Sequence, residues 1–156
     1  MPDLELEIAE ADPEDPDAAE LVAALDGLLH ELYPAITIHV LDAEEFRASG
    51  GVFLLGRAAG VAAACGAVRP LGEGVCELKR MYLRPEYRRR GYARAILQAL
   101  ERIAAARGWR TIRLETGVHQ TEAIALYQSA GYRPIPDYAG YGADPRSRYY
   151  EKRVED

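Results

Sequence analysis

Arg84-Pro85-Glu86-Tyr87-Arg88-Arg89-Arg90-Gly91-Tyr92-Ala93 is the stretch on which the reading of this chain turns. An apolar run, Val75 to Leu83, precedes it. Behind it Ala93, Ile96, Leu97, Leu100, Ile103 and Ala104 recur at helical spacing, and Gly108 stands where such a helix ends. The stretch is therefore a basic turn from a strand into a helix N-terminus. Gly91 lets the backbone approach a ligand without a side chain in the way, while successive N–H groups and the positive end of the helix dipole face an anion. A pyrophosphate fits such a turn. Arg88 to Arg90 could also form a plain solvated corner, but the strand before and the amphipathic helix after are the context that phosphate binding requires. The glycines of GxGxxG are absent and no GK[ST] follows, which excludes a Rossmann dinucleotide loop and a P-loop.

Working outward, the N-terminal Leu4, Leu6 and Ile8 alternate with Glu5 and Glu7 as in a half-buried strand. Asp15-Pro16 opens a helix whose apolar positions run from Leu21 to Leu32 before Pro34 stops it. Asp42 caps a second, shorter helix that ends at Ser49-Gly50-Gly51. Val52 to Leu55, Val61 to Val68 and Val75 to Leu83 read as an antiparallel meander with turns at Ala59-Gly60 and Pro70 to Gly74. Ile112 and Leu114 mark another strand, and Ala123 to Ala130 a helix closed by Gly131. Tyr149 to Val154 form the last strand. The pattern predicts one α/β domain over residues 1–156, with a mixed, twisted sheet of six or seven strands and helices on both faces. Its parallel pair flanks the helix that starts at Gly91, because a crossover helix demands parallel neighbours.

The 156 residues carry a net charge of -6 and 28% charged side chains. That field repels phosphate backbones and anionic lipid, which argues against a nucleic acid or a membrane as the main partner. Cys65 and Cys76 sit in apolar runs without CxxC spacing and read as small buried hydrophobes. His30, His39 and His119 share no metal-ligand spacing, so no metal is expected. With no basic leader and no long apolar run, the cytoplasm is the expected compartment.

The basic turn, taken with a second segment, resembles the GNAT acyltransferase superfamily. Arg88, Gly91 and Ala93 meet its [QR]xxGx[GA] signature, Met81 to Pro85 look like its fourth strand, and Ala123-Ile124-Ala125-Leu126-Tyr127 through Gly131-Tyr132 look like its AxxLYxxxGF segment. The likeness runs from about Val52 to Tyr132. Many members carry Asn where this chain has Gln120, and a longer amide can still hydrogen-bond a pantetheine arm.

The resemblance implies acetyl-CoA as acyl donor. Arg88, Arg89, Arg90, Gly91, Tyr92 and Ala93 would hold the diphosphate. The backbone of Met81 and Leu83 would pair with the pantetheine as an added strand, and the Met81 N–H would polarise the thioester carbonyl. Glu77 resembles the glutamate base of histone-modifying members in its spacing ahead of Gly91, and burial in an apolar strand should raise its pKa. Equally, Glu77 can be a structural carboxylate paired with Lys79, Arg80 or a neighbouring strand. Tyr127 is the candidate donor to the leaving thiolate, or a core residue on the stripe with Ile124 and Ala130. Tyr33 and the loop from Tyr138 to Gly142 could wall an acceptor pocket, with Arg80 meeting an acceptor carboxylate. The expected activity is N-acetylation of a primary amine, a small molecule or a peptide, by a monomer or homodimer. A noncatalytic CoA sensor is the alternative from another class.

Overall fold

The computed structural model describes residues 5–33, 43–138 and 145–154. Expectations resting on Leu4, Pro34, His39, Asp42 and residues 139–142 lie outside them. The elements in chain order are β1 (Leu6–Glu10), α1 (Pro16–Leu32), α2 (Ala43–Ala48), β2 (Val52–Ala58), β3 (Val61–Gly72), β4 (Val75–Leu83), α3 (Tyr92–Ala106), β5 (Thr111–Gly117), α4 (Thr121–Ser129), β6 (Arg133–Ile135) and β7 (Ser147–Arg153). One seven-stranded sheet has the order β1-β2-β3-β4-β5-β7-β6. Every neighbouring pair is antiparallel except β4 and β5, the pair joined by α3.

Local chemistry explains the element ends. The Asp15 carboxylate accepts from the Asp17 N–H at 3.0 Å and caps α1, with Pro16 supplying the preset φ of a first helical residue. Both meander turns are two residues long with positive φ at both positions, Ala59 and Gly60 in one and Glu73 and Gly74 in the other. That backbone twist matches the twist of paired strands. The second hairpin consequently closes later than the Pro70–Gly74 turn the sequence suggests. β3 runs on to Gly72, and Pro70 sits within it opposite Cys76. β6 is three residues long and contains Pro134, too short a run for periodicity to reveal.

The sheet is covered on both faces. α1 and α2 bury Ala18, Leu21 and Phe46 against Phe53, Leu55, Cys65 and Ala67. On the other face α3 and α4 bury Ile96, Leu97, Leu100 and Tyr127 against Leu54, Val68, Cys76, Leu78, Ile112 and Leu114. β4 carries a bulge at Arg80, whose φ is 59°, between the partners Ala67 with Lys79 and Cys65 with Tyr82. The extra residue re-aims the end of the strand, so that Met81 joins the α3 side while Tyr82 joins the α1 side. Gly66 lies across from this bulge, and a Cβ there would stand 2.5 Å from Met81 Sδ and 2.9 Å from Ile96.

Two outcomes follow. Gly66→Ala is expected to lower stability by about 1–3 kcal/mol, because Met81 and Ile96 must shift to admit one methyl; a thermal melt reads it. Burial pushes the thiols of Cys65 and Cys76 up to about 12, so neither should react with an aromatic disulfide reagent until the protein unfolds.

Candidate active site

β4 and β5 share three rungs, Val75 with Thr111, Cys76 with Ile112 and Glu77 with Arg113, and beyond Glu77 they part. The result is a fork whose arms are Leu78–Leu83 and Leu114–Gly117. Met81 and Leu83 lie on the β4 arm, as the sequence suggests.

On the α3 side the chain leaves β4 through a single 3-10 turn, Pro85–Tyr87, and reaches α3 through Arg89 and Gly91, both left-handed at φ 66° and 79°. Gly91, the N-cap of α3, brings no side chain of its own to the helix end, and the first N–H groups of a helix can take an oxyanion. Arg88, Arg89 and Arg90 are exposed around this turn. Arg88 Nε lies 3.3 Å from Glu122 at the start of α4, and the Arg90 guanidinium lies 5.8 Å over the Tyr87 ring. Tyr92 has a different place: it is buried against Ala58 and Ala63 and anchors the turn to the sheet. Arg94 donates to the Ser129 hydroxyl, tying the first turn of α3 to the last of α4. An open helix N-terminus, a left-handed glycine and three arginines suit the diphosphate of a coenzyme.

Gln120 precedes α4, and its side-chain oxygen accepts from the Gly117 N–H at 2.9 Å, which leaves its NH2 to donate elsewhere. Tyr127 is 5% exposed and packs its ring 5.7 Å from that of Tyr132. Burial raises its phenol well above the ordinary range, so it keeps its proton at neutral pH.

The opposite face of the fork carries a row of alternating charge. Cross-strand register aligns Arg69 on β3, Glu77 on β4, Arg113 on β5, Glu151 on β7 and Arg133 on β6. Arg69 donates to Glu77 Oε1 from Nε at 3.0 Å, with Nη2 at 2.9 Å, and Lys79 Nζ lies 3.4 Å from the same oxygen. The Tyr138 hydroxyl donates to Glu77 Oε2 at 2.6 Å. Arg113 and Arg133 both donate to Glu151, at 3.2 and 3.0 Å. Burial alone would lift the Glu77 carboxyl, as the sequence suggests. The charge of Lys79, the Tyr138 phenol and Arg69 outweigh it and hold the group below the usual carboxylate range. The expected rise is thereby corrected: Glu77 has a salt-bridged environment, with partners Lys79 and Arg69. Arg80 turns away to Asp26 on α1 at 3.1 Å.

Two residues past Arg113, Glu115 stands exposed on the β5 arm, and its Oε2 accepts from the hydroxyls of Ser147 at 2.9 Å and Tyr149 at 3.3 Å. Sequence reasoning missed Arg69, Arg113 and Glu115. The alternation of Arg113 and Glu115 with Ile112 and Leu114 marks a polar face on β5, but only the register shows what that face meets. Tyr33, 3% exposed, closes the end of α1 onto the fork. Its hydroxyl accepts from the His119 N–H at 2.9 Å, and a Cβ on Gly117 would lie 1.8 Å from that oxygen. Of the suspected loop from Tyr138 to Gly142, Tyr138 alone is described.

Comparison with known proteins decides the family: a family profile described as "Acetyltransferase (GNAT) family" matches residues 14–132. The chain belongs to that family. This GNAT member is 36% identical over 146 residues to the "IAA acetyltransferase" of Azospirillum brasilense, covering 93% of this chain and 95% of the relative. It is 30% identical over 140 residues to the uncharacterized N-acetyltransferase YsnE of Bacillus subtilis, covering 86% and 93%. A Klebsiella pneumoniae structure solved under the description acyl-CoA N-acyltransferase superposes with a TM-score of 0.82 at 35% identity, over 96% of this chain and 97% of that one. The fold also matches the PaiA N-acetyltransferase of Thermoplasma acidophilum, solved in complex with coenzyme A, with a TM-score of 0.73 at 18% identity, over 97% and 100% of the two chains. Acyl-CoA-dependent acetyl transfer is accordingly the general activity of the enzyme. No described helix is long and apolar enough to cross a membrane, and the described residues hold no group of three or more potential metal ligands.

The depressed Glu77 carboxyl sets a pH dependence. Its folded pKa lies below the reference of 4.5, so its contribution to stability is complete above that value and is lost as pH falls through the folded pKa. Acid titration of the unfolding free energy should show a steeper fall below about pH 4.5 in the wild type than in Glu77→Gln.

Proposed function

We propose that this GNAT enzyme transfers the acetyl group of acetyl-CoA to the primary amine of a small molecule, by direct attack within a ternary complex. The observation that carries this reading is the fork between β4 and β5, which has the α3 N-terminus with its exposed arginines on one face and an exposed carboxylate, Glu115, on the other. Coenzyme A complexes of fold relatives such as the Thermoplasma protein support the donor.

In this reading Arg88 to Gly91 and the first N–H groups of α3 hold the diphosphate, and the β4 arm at Met81 and Leu83 offers backbone groups to the pantetheine and the thioester oxygen. Glu115 takes a proton from the acceptor ammonium, directly or through water, freeing the nitrogen lone pair. As the C–N bond forms and the C–S bond breaks, the sulfur leaves with the electron pair, and the second proton, shed by the now cationic nitrogen, passes through water to the thiolate to give free CoA. Tyr127 meets the sulfur with a hydrogen bond. Its raised pKa makes full proton transfer to a thiolate uphill, so stabilisation by donation is the role that suits it. Glu77, both of whose oxygens are engaged and whose pKa is depressed, is the weaker proton acceptor, and its part is to hold Arg69, Lys79 and Tyr138 in place. Tyr33 and Tyr138, folded onto the fork from α1 and from the end of β6, narrow it, which favours a small acceptor over an extended peptide.

Glu115→Gln is expected to lower kcat/KM by about 10²–10⁴-fold, with Tyr127→Phe costing roughly tenfold. Both variants should keep the rise in melting temperature that acetyl-CoA confers on the wild type. Gly91→Val should lose that rise, because its left-handed φ of 79° excludes a β-branched residue. Steady-state CoA release together with thermal shift measures all three variants. Unchanged turnover in Glu115→Gln alongside a large loss in Glu77→Gln would return the proton-accepting role to Glu77.

A further inference from the structure

The chemistry around the fork also bears on what the acceptor carries besides its amine, an inference that rests on the proposed role of Glu115. Glu77 and Arg113 are partners in the last shared rung of β4 and β5. Side chains return to the same face every two residues, and the register is regular through Lys79 on one strand and Glu115 on the other. Lys79 and Glu115 therefore emerge on one face of the sheet, from opposite arms, one step into the gap. They are of opposite charge, and the contacts of each lie elsewhere. Lys79 Nζ is 3.4 Å from a Glu77 oxygen that Arg69 already serves at 2.9 and 3.0 Å, and Glu115 is held by the hydroxyls of Ser147 and Tyr149.

The surroundings add a second observation. In the charge row and Lys79, four cations, Arg69, Lys79, Arg113 and Arg133, face two carboxylates, Glu77 and Glu151. This local positive excess occurs in a chain whose net charge is -6. Lys79 has one ion pair, to Glu77, and an ammonium can make three hydrogen bonds, so it can meet a second carboxylate while keeping the first. The Lys79 side chain is 23% exposed, so its head can turn toward the gap.

We propose that Lys79 and Glu115 form the two poles of a receptor for a zwitterionic acceptor: an amine that bears a carboxylate, of the amino-acid class, with its carboxylate on Lys79 and its ammonium on Glu115. The arrangement discriminates against amines lacking the acid, since for them Lys79 gains no partner. It also disfavours polyamines, whose second cation would meet the positive excess of the row.

The experiment is a CoA-release assay with acetyl-CoA and a panel of amino acids, each beside its decarboxylated amine and its α-carboxamide, on wild type, Lys79→Met and Lys79→Arg. For the best amino acid, kcat/KM should exceed that of its two neutral-ended counterparts by about tenfold or more. Lys79→Met should bring this ratio close to one, chiefly through KM, and Lys79→Arg should retain most of it. A wild-type ratio near one overturns the inference and leaves N-acetylation standing, and that ratio decides the matter even if Lys79→Met fails to fold. A ratio unchanged in folded Lys79→Met overturns it as well. Absence of CoA release with every amine of the panel overturns both the inference and the reading on which it rests.

Discussion

Three rungs of parallel pairing, and the parting of the strands after the third, are the constraint on which this molecule depends. A parallel pair requires a crossover, and α3 supplies it. The start of α3 is thereby fixed beside the end of β4, the place where the strands separate. Backbone groups freed from the ladder still demand partners, and the proposed function assigns the pantetheine arm of the donor to them. The bulge at Arg80 belongs to the same device, since it turns the end of β4 and leaves Met81 and Tyr82 on opposite faces. Gly66 makes room for it where any side chain would collide with Met81.

The two faces of the fork differ in chemistry because different helices cover them. On the α3 and α4 side apolar packing surrounds Tyr127 and keeps its phenol protonated. On the α1 side the helices cover Ala67 and Cys65, while the face around Glu77, Arg113 and Glu151 carries charge. There the balance between desolvation and neighbouring charge decides what each carboxylate can do. Glu77 is buried, but Lys79, Tyr138 and Arg69 more than offset the cost of burying it, leaving a firmly ionised and fully engaged group. Glu115, one row further on, is exposed and held by hydroxyls, an environment better suited to meeting an incoming ammonium.

Much of the fold was legible in the chain. Helical spacing after Gly91, the helix start at Asp15 and the Ala59-Gly60 turn of the meander are local signals, and each appears in the structure at those residues. β6 escaped because three residues containing a proline carry no period, and the second hairpin closed later because positive φ at Glu73 and Gly74 outweighed the proline as a turn signal. At the site, Gly91 and Tyr127 announced themselves through motif context. Arg69 and Arg113 had no such signal, for their relation to Glu77 exists only through pairing between strands.

What the sequence determined by itself was the set of local conformations: where helices start, where strands turn, and that a left-handed glycine ends a basic turn at a helix N-terminus. These follow from interactions between residues a few positions apart. The tertiary structure alone decided the sign of the Glu77 shift, the commitment of Arg80 to Asp26 and the placement of Lys79 and Glu115 on one face of the two arms. Each of those depends on charges brought together from distant parts of the chain, and electrostatic energy is governed by distance in space and by burial, neither of which is written along the chain.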